Sequence, residues 1–400
     1  MNPTTQTLRT IPTADELENA VQAIAAAMAD LDANFIDRTG EIRCAVISLI
    51  AEGNFLMYGD PGTAKSAFSR AFAAVFGYDK NATDGASRWY KNQLTKFSTP
   101  EDLYGPVSVN GIKNDDYRRV TDRTLADCGM AFIDEIFKAN DAILNTLLGV
   151  LEERQFVNGN TLVDLPLQMV MSASNELPKP GGPLRAVYDR FTVRREVMPL
   201  SNPDDLRRLA RLKLRGGPRP TARVDMGHVA SLRDARDHVD VGDEIVDAVI
   251  ASKDELLTSH GIKVSDRAFC ASFDLIRANA VLDGRMVATT ADLLVLVDSW
   301  WLRPEDRAAV NKVLMGHVSA DLVDAARIHD AAVEVFGALD LSNLTDGDVG
   351  AASKANRELK TMVKEIRRLD IDMTAIADMA DAVERMHRAV ARAVSAALGF

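Results

Sequence analysis

The stretch Gly59-Asp60-Pro61-Gly62-Thr63-Ala64-Lys65-Ser66 follows directly on the apolar run Phe55-Leu56-Met57-Tyr58 and leads into an amphipathic segment. The order reads as strand, glycine loop, helix. Binding a polyphosphate requires backbone N–H donors that converge on it, a cation beside its terminal phosphates and an oxygen ligand for magnesium. A glycine-rich turn from Gly59 to Ala64 feeding a helix N-terminus supplies the donors, Lys65 the cation and Ser66 the oxygen.

Moving outward, Met130-Ala131-Phe132-Ile133-Asp134-Glu135 is an apolar strand that ends in two acids. Asp134 at the strand end can hold magnesium through water, and Glu135 can polarise an attacking water. A third apolar run, Leu167 to Ser172, continues into Ala173-Ser174-Asn175, where the Asn175 amide can sense a γ-phosphate. Between these runs, Ile143, Leu147, Val150 and Leu151 recur at helical spacing over Asp141 to Arg154. The Asn158-Gly159 turn predicts a hairpin joining Gln155-Phe156-Val157 to Thr161-Leu162-Val163. A last strand is expected over Thr192 to Met198. Strands alternating with helices predict an α/β fold with a mainly parallel sheet.

Toward the N-terminus, Thr13-x-x-Glu16 is a capping box that opens a helix running to about Leu31, and a second helix is expected from Arg38 to Ala51. After Pro203 the pattern is helical. Gly216-Gly217-Pro218-Arg219-Pro220 breaks it, and Pro304 marks a further boundary. Beyond it, Leu359, Met362, Ile366, Leu369 and Met373, then Ile376, Met379, Val383, Met386 and Val390, follow the 3-4 spacing of packed helices. These readings divide the chain into a tail and first helix (1–30), an α/β core (31–200), a helical lid (201–303) and a helical C-terminal extension (304–400).

Composition narrows the function. The 400 residues carry a net charge of −11, which disfavours nonspecific nucleic-acid binding. No run of eighteen apolar residues occurs and the N-terminus lacks an apolar signal core, so a cytoplasmic protein is expected. Cys44, Cys128 and Cys270 are scattered among apolar neighbours without a C-x-x-C pair, which reads as thiols used as small hydrophobes.

Together these motifs resemble the AAA+ ATPases of the MoxR type, RavA branch. The resemblance lies in FSTPEDLYGPVS (97–108), FIDEIFKA (132–139), AILNTLL (142–148), ERQFVNG (153–159), ASNELP (173–178) and YDRF (188–191), and it extends from about Leu31 to Trp301. That branch commonly has alanine where Ala64 stands. The resemblance implies Walker A roles for Lys65 and Ser66, Walker B roles for Asp134 and Glu135, and sensor 1 for Asn175. It also implies the sensor 2 arginine at Arg267, in Ser265-Asp266-Arg267, and a trans arginine finger at Arg190, with Arg185, Arg194 and Arg195 as neighbouring candidates. Ile36 and Asp37 would contact the adenine. Residues 105–123 would be the helix-2 insert and the Asn158-Gly159 hairpin the pre-sensor insert, both facing a ring pore.

The implied protein is an AAA+ P-loop core with lid and extension that binds ATP and Mg2+, forms a homo-oligomer of six subunits and remodels a protein client. A von Willebrand factor A (vWA) domain protein is the expected partner class. In the RavA group a β-rich insertion recruits a partner, whereas here Leu339 to Gly350 reads as a short polar loop. The alternative is a DNA motor, because GDPGTAKS and FIDE also resemble the minichromosome maintenance helicases. Those carry a large region before the P-loop, whereas 58 residues precede Gly59 in this chain.

Overall fold

A computed structural model describes residues 11–178, 182, 184–318, 320–339, 349–369 and 374–397. The chain forms two compact units, residues 1–311 and 312–400.

In the first unit the strands are β1 (Phe55–Tyr58), β2 (Trp89–Gln93), β3 (Met130–Asp134), β4 (Gln155–Asn158), β5 (Thr161–Asp164), β6 (Met169–Ser174) and β7 (Val193–Glu196). Among the described residues five of them form one sheet of order β2-β3-β6-β1-β7, parallel at every pairing. β3 and β6 lie inside the sheet and are apolar and nearly fully buried, as strands covered on both faces must be. β4 and β5 pair separately as the antiparallel hairpin expected from Asn158-Gly159, where Gly159 takes φ 63°.

Patterning did not predict β2. Its sequence, Trp-Tyr-Lys-Asn-Gln, is mostly polar because it is the edge strand and none of its residues is fully buried. An edge strand needs one covered side only, and polar residues there discourage pairing with other chains.

The first helix, Ala14–Asn34, begins with the Thr13–Glu16 capping box and buries Ala20, Ile24, Ala27 and Leu31 at its three- and four-residue spacing. The helix Thr39–Ile50 follows, then helices Lys65–Val75 after β1 and Asp141–Glu152 after β3. After β7 come the helices Pro203–Leu214, Met226–Arg236, Asp243–His260 and Asp266–Leu282 and a 3-10 segment, Thr290–Asp298, in the span expected as the lid. Arg233 and Arg236 fix this span to the core by donating to the carbonyls of Leu49 (3.0 and 2.7 Å) and Ile50 (2.9 Å) near the end of the second helix.

In the second unit, helices Ala320–Gly337, Val349–Ile366 and Thr374–Ala397 pack on one another. Leu359, Ile366, Ile376, Val383 and Val390 of the expected pattern are buried. Met373 and residues 340–348 of the polar loop lie outside the described residues. Among the described residues no helix is long and apolar enough to cross a membrane.

Candidate functional site

The loop after β1 has the geometry of a phosphate cradle. Gly59 at φ 143° lies so close to β7 that a Cβ there would meet the Val197 carbonyl at 2.4 Å; only glycine fits. Its N–H donates to the Ser174 carbonyl across 3.1 Å, joining the ends of β1 and β6. Gly62 has φ 86°, and a Cβ there would meet nothing within 4 Å, which leaves open space over the loop. Ala64 caps the helix in the left-handed region at φ 65°, a conformation that costs a non-glycine residue of order 1 kcal/mol and clusters at functional sites.

Lys65 curls back over the loop, its ammonium donating to the carbonyls of Gly59 and Asp60, both at 2.7 Å, and to Thr63 Oγ1 at 3.0 Å. Partial burial draws its pKa below the ordinary lysine value, while Asp134, Glu135 and Asp60 pull it back up. Ser66 Oγ donates to Asp134 Oδ2 across 2.9 Å. Asp134 Oδ1 accepts the Glu135 backbone N–H at 3.1 Å. Glu135 has φ 55°, which turns its carboxylate out of the strand line. Lys138 lies 3.3 Å from Glu135 Oε1, whereas Oε2 is buried and makes no hydrogen bond.

Pro61, Gly62, Thr63, Ala64, Lys65, Ser66, Asp134, Glu135 and Asn175 line one cleft of about 340 Å3. The donor set suits a magnesium nucleotide. It offers two hard oxygens already in register at Ser66 and Asp134, an open phosphate space over Gly62, and a buried carboxylate oxygen at Glu135 with nothing yet to bond.

A much smaller recess of about 10 Å3 beside the loop is lined by Phe35, Arg38, Met57, Thr63, Phe68 and Val197, among others. Ile36 and Asp37 are absent from its lining; Ile36 is buried and Asp37 is exposed at φ 54°. Arg38 is held at the recess by donating to the Met198 carbonyl at 2.8 Å, a contact with no local sequence signal.

The two remaining expected residues are elsewhere. Arg190 Nη2 donates to Glu152 Oε2 at 2.6 Å, and Arg267 donates to Glu152 Oε1 through Nη2 at 2.6 Å and Nε at 3.1 Å. Asp189 accepts from Arg267 at 3.4 Å and from the Ser265 hydroxyl at 3.0 Å. Ser265 is also the N-cap of the helix Asp266–Leu282. Glu152, Arg190 and Arg267 line a separate cavity of about 220 Å3.

Asn54 fixes where this cluster sits. Its side chain donates to the carbonyls of Leu151 and Arg190, both at 2.9 Å, and it immediately precedes β1. The arginines therefore lie at the N-terminal end of β1, while the phosphate loop leaves its C-terminal end. Four strand residues at about 3.3 Å each put roughly 13 Å of strand between them.

The neighbouring arginines are already engaged. Arg194 is buried, with its guanidinium 4.6 Å from the Tyr188 ring centroid and 6.0 Å from that of Trp301. Arg195 pairs with Asp298 at 3.0 Å, and Arg185 lies over the Tyr188 ring at 5.1 Å. Sequence reading missed Glu152. Its signal is an acid on the last residue of a helix, at the negative end of the helix dipole.

The two expected inserts meet. Asn158 of the hairpin accepts the Arg119 N–H at 2.7 Å and donates to the Arg119 carbonyl at 3.3 Å. Around this clamp Val109, Ile112, Tyr117, Val157 and Leu162 are exposed.

Sheet order, phosphate loop and helical lid define an AAA+ P-loop fold. A model of the MoxR domain in MoxR-vWA-beta-propeller ternary systems matches residues 22–217, and an AAA lid domain model matches residues 244–314. Two uncharacterized proteins of Methanocaldococcus jannaschii are similar. MJ0079 is 33% identical over 286 residues, covering 71% of this chain and 72% of the relative. MJ0812 is 34% identical over 278 residues, covering 69% and 71%. The crystal structure of a proposed ATPase from Cytophaga hutchinsonii aligns with a TM-score of 0.60 at 18% identity, covering 76% of this chain and 97% of that one, a likeness of fold. The chain belongs to the MoxR-type AAA+ ATPases.

Proposed function

We propose that the protein hydrolyses ATP with Mg2+ as a homo-oligomeric ring, six subunits being the family arrangement, and uses the cycle to remodel a protein partner. The observation that carries this reading is the split of the chemistry between two ends of one sheet. Lys65, Ser66, Asp134, Glu135 and Asn175 share one cleft, while Arg190 and Arg267 share another surface. A chain cannot bring its own arginines to its own phosphates across β1, but the next subunit in a ring can.

In this reading Gly59 to Ala64 wrap the phosphates and Lys65 exchanges its carbonyl partners for phosphate oxygens. Ser66 and Asp134 would hold the magnesium, which would neutralise phosphate charge. Glu135 orients and polarises the attacking water through its unbonded oxygen, Asn175 contacts the γ-phosphate, and the neighbour's Arg190 and Arg267 stabilise the charge that develops. Base contact falls beside the Phe35–Arg38 turn that contains Ile36 and Asp37.

The clamped inserts supply an exposed apolar surface suited to gripping a polypeptide. The partner class is a vWA protein, in keeping with the matched family description, and placement near RavA rests on the stretches FSTPEDLYGPVS and ERQFVNG. The test is subunit mixing. Lys65→Ala and Arg190→Ala chains, each inactive alone, should recover part of the ATPase activity when mixed, because one supplies the arginine and the other the phosphate loop. No recovery in mixtures shown to co-assemble would refute the shared site.

A further inference from the structure

We propose that Glu152 is a positioning residue for hydrolysis, holding Arg190 and Arg267 as a pair aimed at the neighbouring subunit's nucleotide. The proposal rests on the shared-site reading above.

Glu152 and the following Glu153 place two negative charges at the C-terminal end of the helix Asp141–Glu152, where the helix dipole disfavours them. Helix stability does not explain an acid there. Its contacts do, since one carboxylate accepts three bonds from two guanidinium groups, at 2.6, 2.6 and 3.1 Å. These arginines come from different parts of the molecule, Arg190 from the turn before β7 and Arg267 from the lid.

Each arginine is fixed on a second side as well. Arg190 Nη1 donates to the Ala186 carbonyl at 2.7 Å, and Arg267 Nη1 reaches Asp189 at 3.4 Å. A guanidinium carries five N–H donors, so both heads keep donors for a phosphate while Glu152 holds them. Two long side chains that would otherwise sample many rotamers are thus set before the neighbour docks, which lowers the ordering cost of the encounter. Because a single carboxylate serves both, the lid and core arginines are positioned together.

The experiment compares Glu152→Gln and Glu152→Asp with the wild type in assembled rings, by steady-state ATPase assays and thermal melting. Glu152→Gln keeps the shape but loses the charge that draws two cations. It should lower kcat about tenfold to a hundredfold and leave KM for ATP within about twofold, since the chain's own phosphate loop is at the other end of β1. Glu152→Asp should restore part of kcat. Mixing Glu152→Gln with Lys65→Ala should recover activity as Arg190→Ala with Lys65→Ala does, whereas Glu152→Gln with Arg190→Ala should not.

Wild-type kcat in Glu152→Gln would overturn the proposal. So would a lower melting point with unchanged kcat, which marks a purely structural tie between lid and core. If Arg190→Ala with Lys65→Ala recovers and Glu152→Gln with Lys65→Ala does not, the shared site stands and the role of Glu152 falls. If neither mixture recovers, the shared site itself falls.

Discussion

The Ser66 hydroxyl meets the Asp134 carboxylate at 2.9 Å across a sequence separation of 68 residues. Helix Lys65–Val75 follows β1 after the loop from Gly59 to Ala64, and β3 ends two strands away across β6. Parallel strands bring their C-terminal ends to the same edge, and such edges are where open α/β sheets bind ligands.

On the proposed reading, in which the Lys65 ammonium would contact ground-state phosphates, Lys65→Ala should abolish nucleotide binding. Glu135→Gln should bind ATP with wild-type affinity and lose at least a hundredfold in hydrolysis, in the range seen when charge-stabilising groups are removed. Its melting temperature should fall by no more than the loss of the partly exposed pair with Lys138 implies, under about 1 kcal/mol, because the other carboxylate oxygen is buried without a partner. Fluorescent-nucleotide titration, phosphate release and calorimetry measure the three quantities. Wild-type turnover by Glu135→Gln would refute the role given to this acid.

Arg190 and Arg194 should fail in opposite ways. Arg190→Ala should retain ATP binding and stability to within about 1 kcal/mol, as expected for a partly exposed ion pair, and lose turnover. Arg194→Ala should lose about 2 kcal/mol or more of stability, because its desolvated guanidinium stacks on Tyr188 and Trp301. Urea denaturation read beside ATPase rates distinguishes them. A stable, inactive Arg194→Ala would reassign the finger.

Asn158→Ala should release the clamp between hairpin and insert. Two part-buried hydrogen bonds to the Arg119 backbone are lost, worth roughly 1 kcal/mol each. Limited trypsin digestion should then cut at Arg118, Arg119 or Arg123 at least fivefold faster than in the wild type. An unchanged cleavage rate would mean the clamp does not hold the insert.

The Glu152 carboxyl is pushed up by desolvation and pulled further down by Arg267 and Arg190, so its pKa ends below the ordinary value. A carboxyl depressed in the folded state stabilises fully above its unfolded pKa and loses that contribution as pH falls through its folded pKa. The melting-temperature difference between the wild type and Glu152→Gln should therefore be flat from about pH 8 to 5 and shrink only below about pH 4. Convergence already near neutral pH would contradict the pairing.

Hydrolysis should not respond to DNA. A helicase neutralises many phosphates, so its DNA-stimulated turnover falls steeply with salt, whereas this chain carries −11. ATPase assays with single- and double-stranded DNA at two salt concentrations decide the matter. Strong, salt-sensitive stimulation would favour the DNA-motor reading over the remodelling of a protein partner.

The sequence by itself determined the features that repeat or close within a few residues. The capping box at Thr13, the left-handed turn at Gly159, the buried runs of β3 and β6, and the loop from Gly59 to Ser66 all depend on neighbours within a turn or a pleat. Their signals are therefore local and legible. The tertiary structure decided what lies beside what. β2 is a strand because β3 offers it an edge, not because Trp-Tyr-Lys-Asn-Gln has the pattern of one. Arg190 is available and Arg194 is not, because Tyr188 and Trp301 close over the second, and Glu152 presents the first beside Arg267, which lies 115 residues beyond Glu152 in the chain. Such pairings follow from strand order and lid docking, and long-range contacts of this kind leave no periodic trace in the chain that makes them.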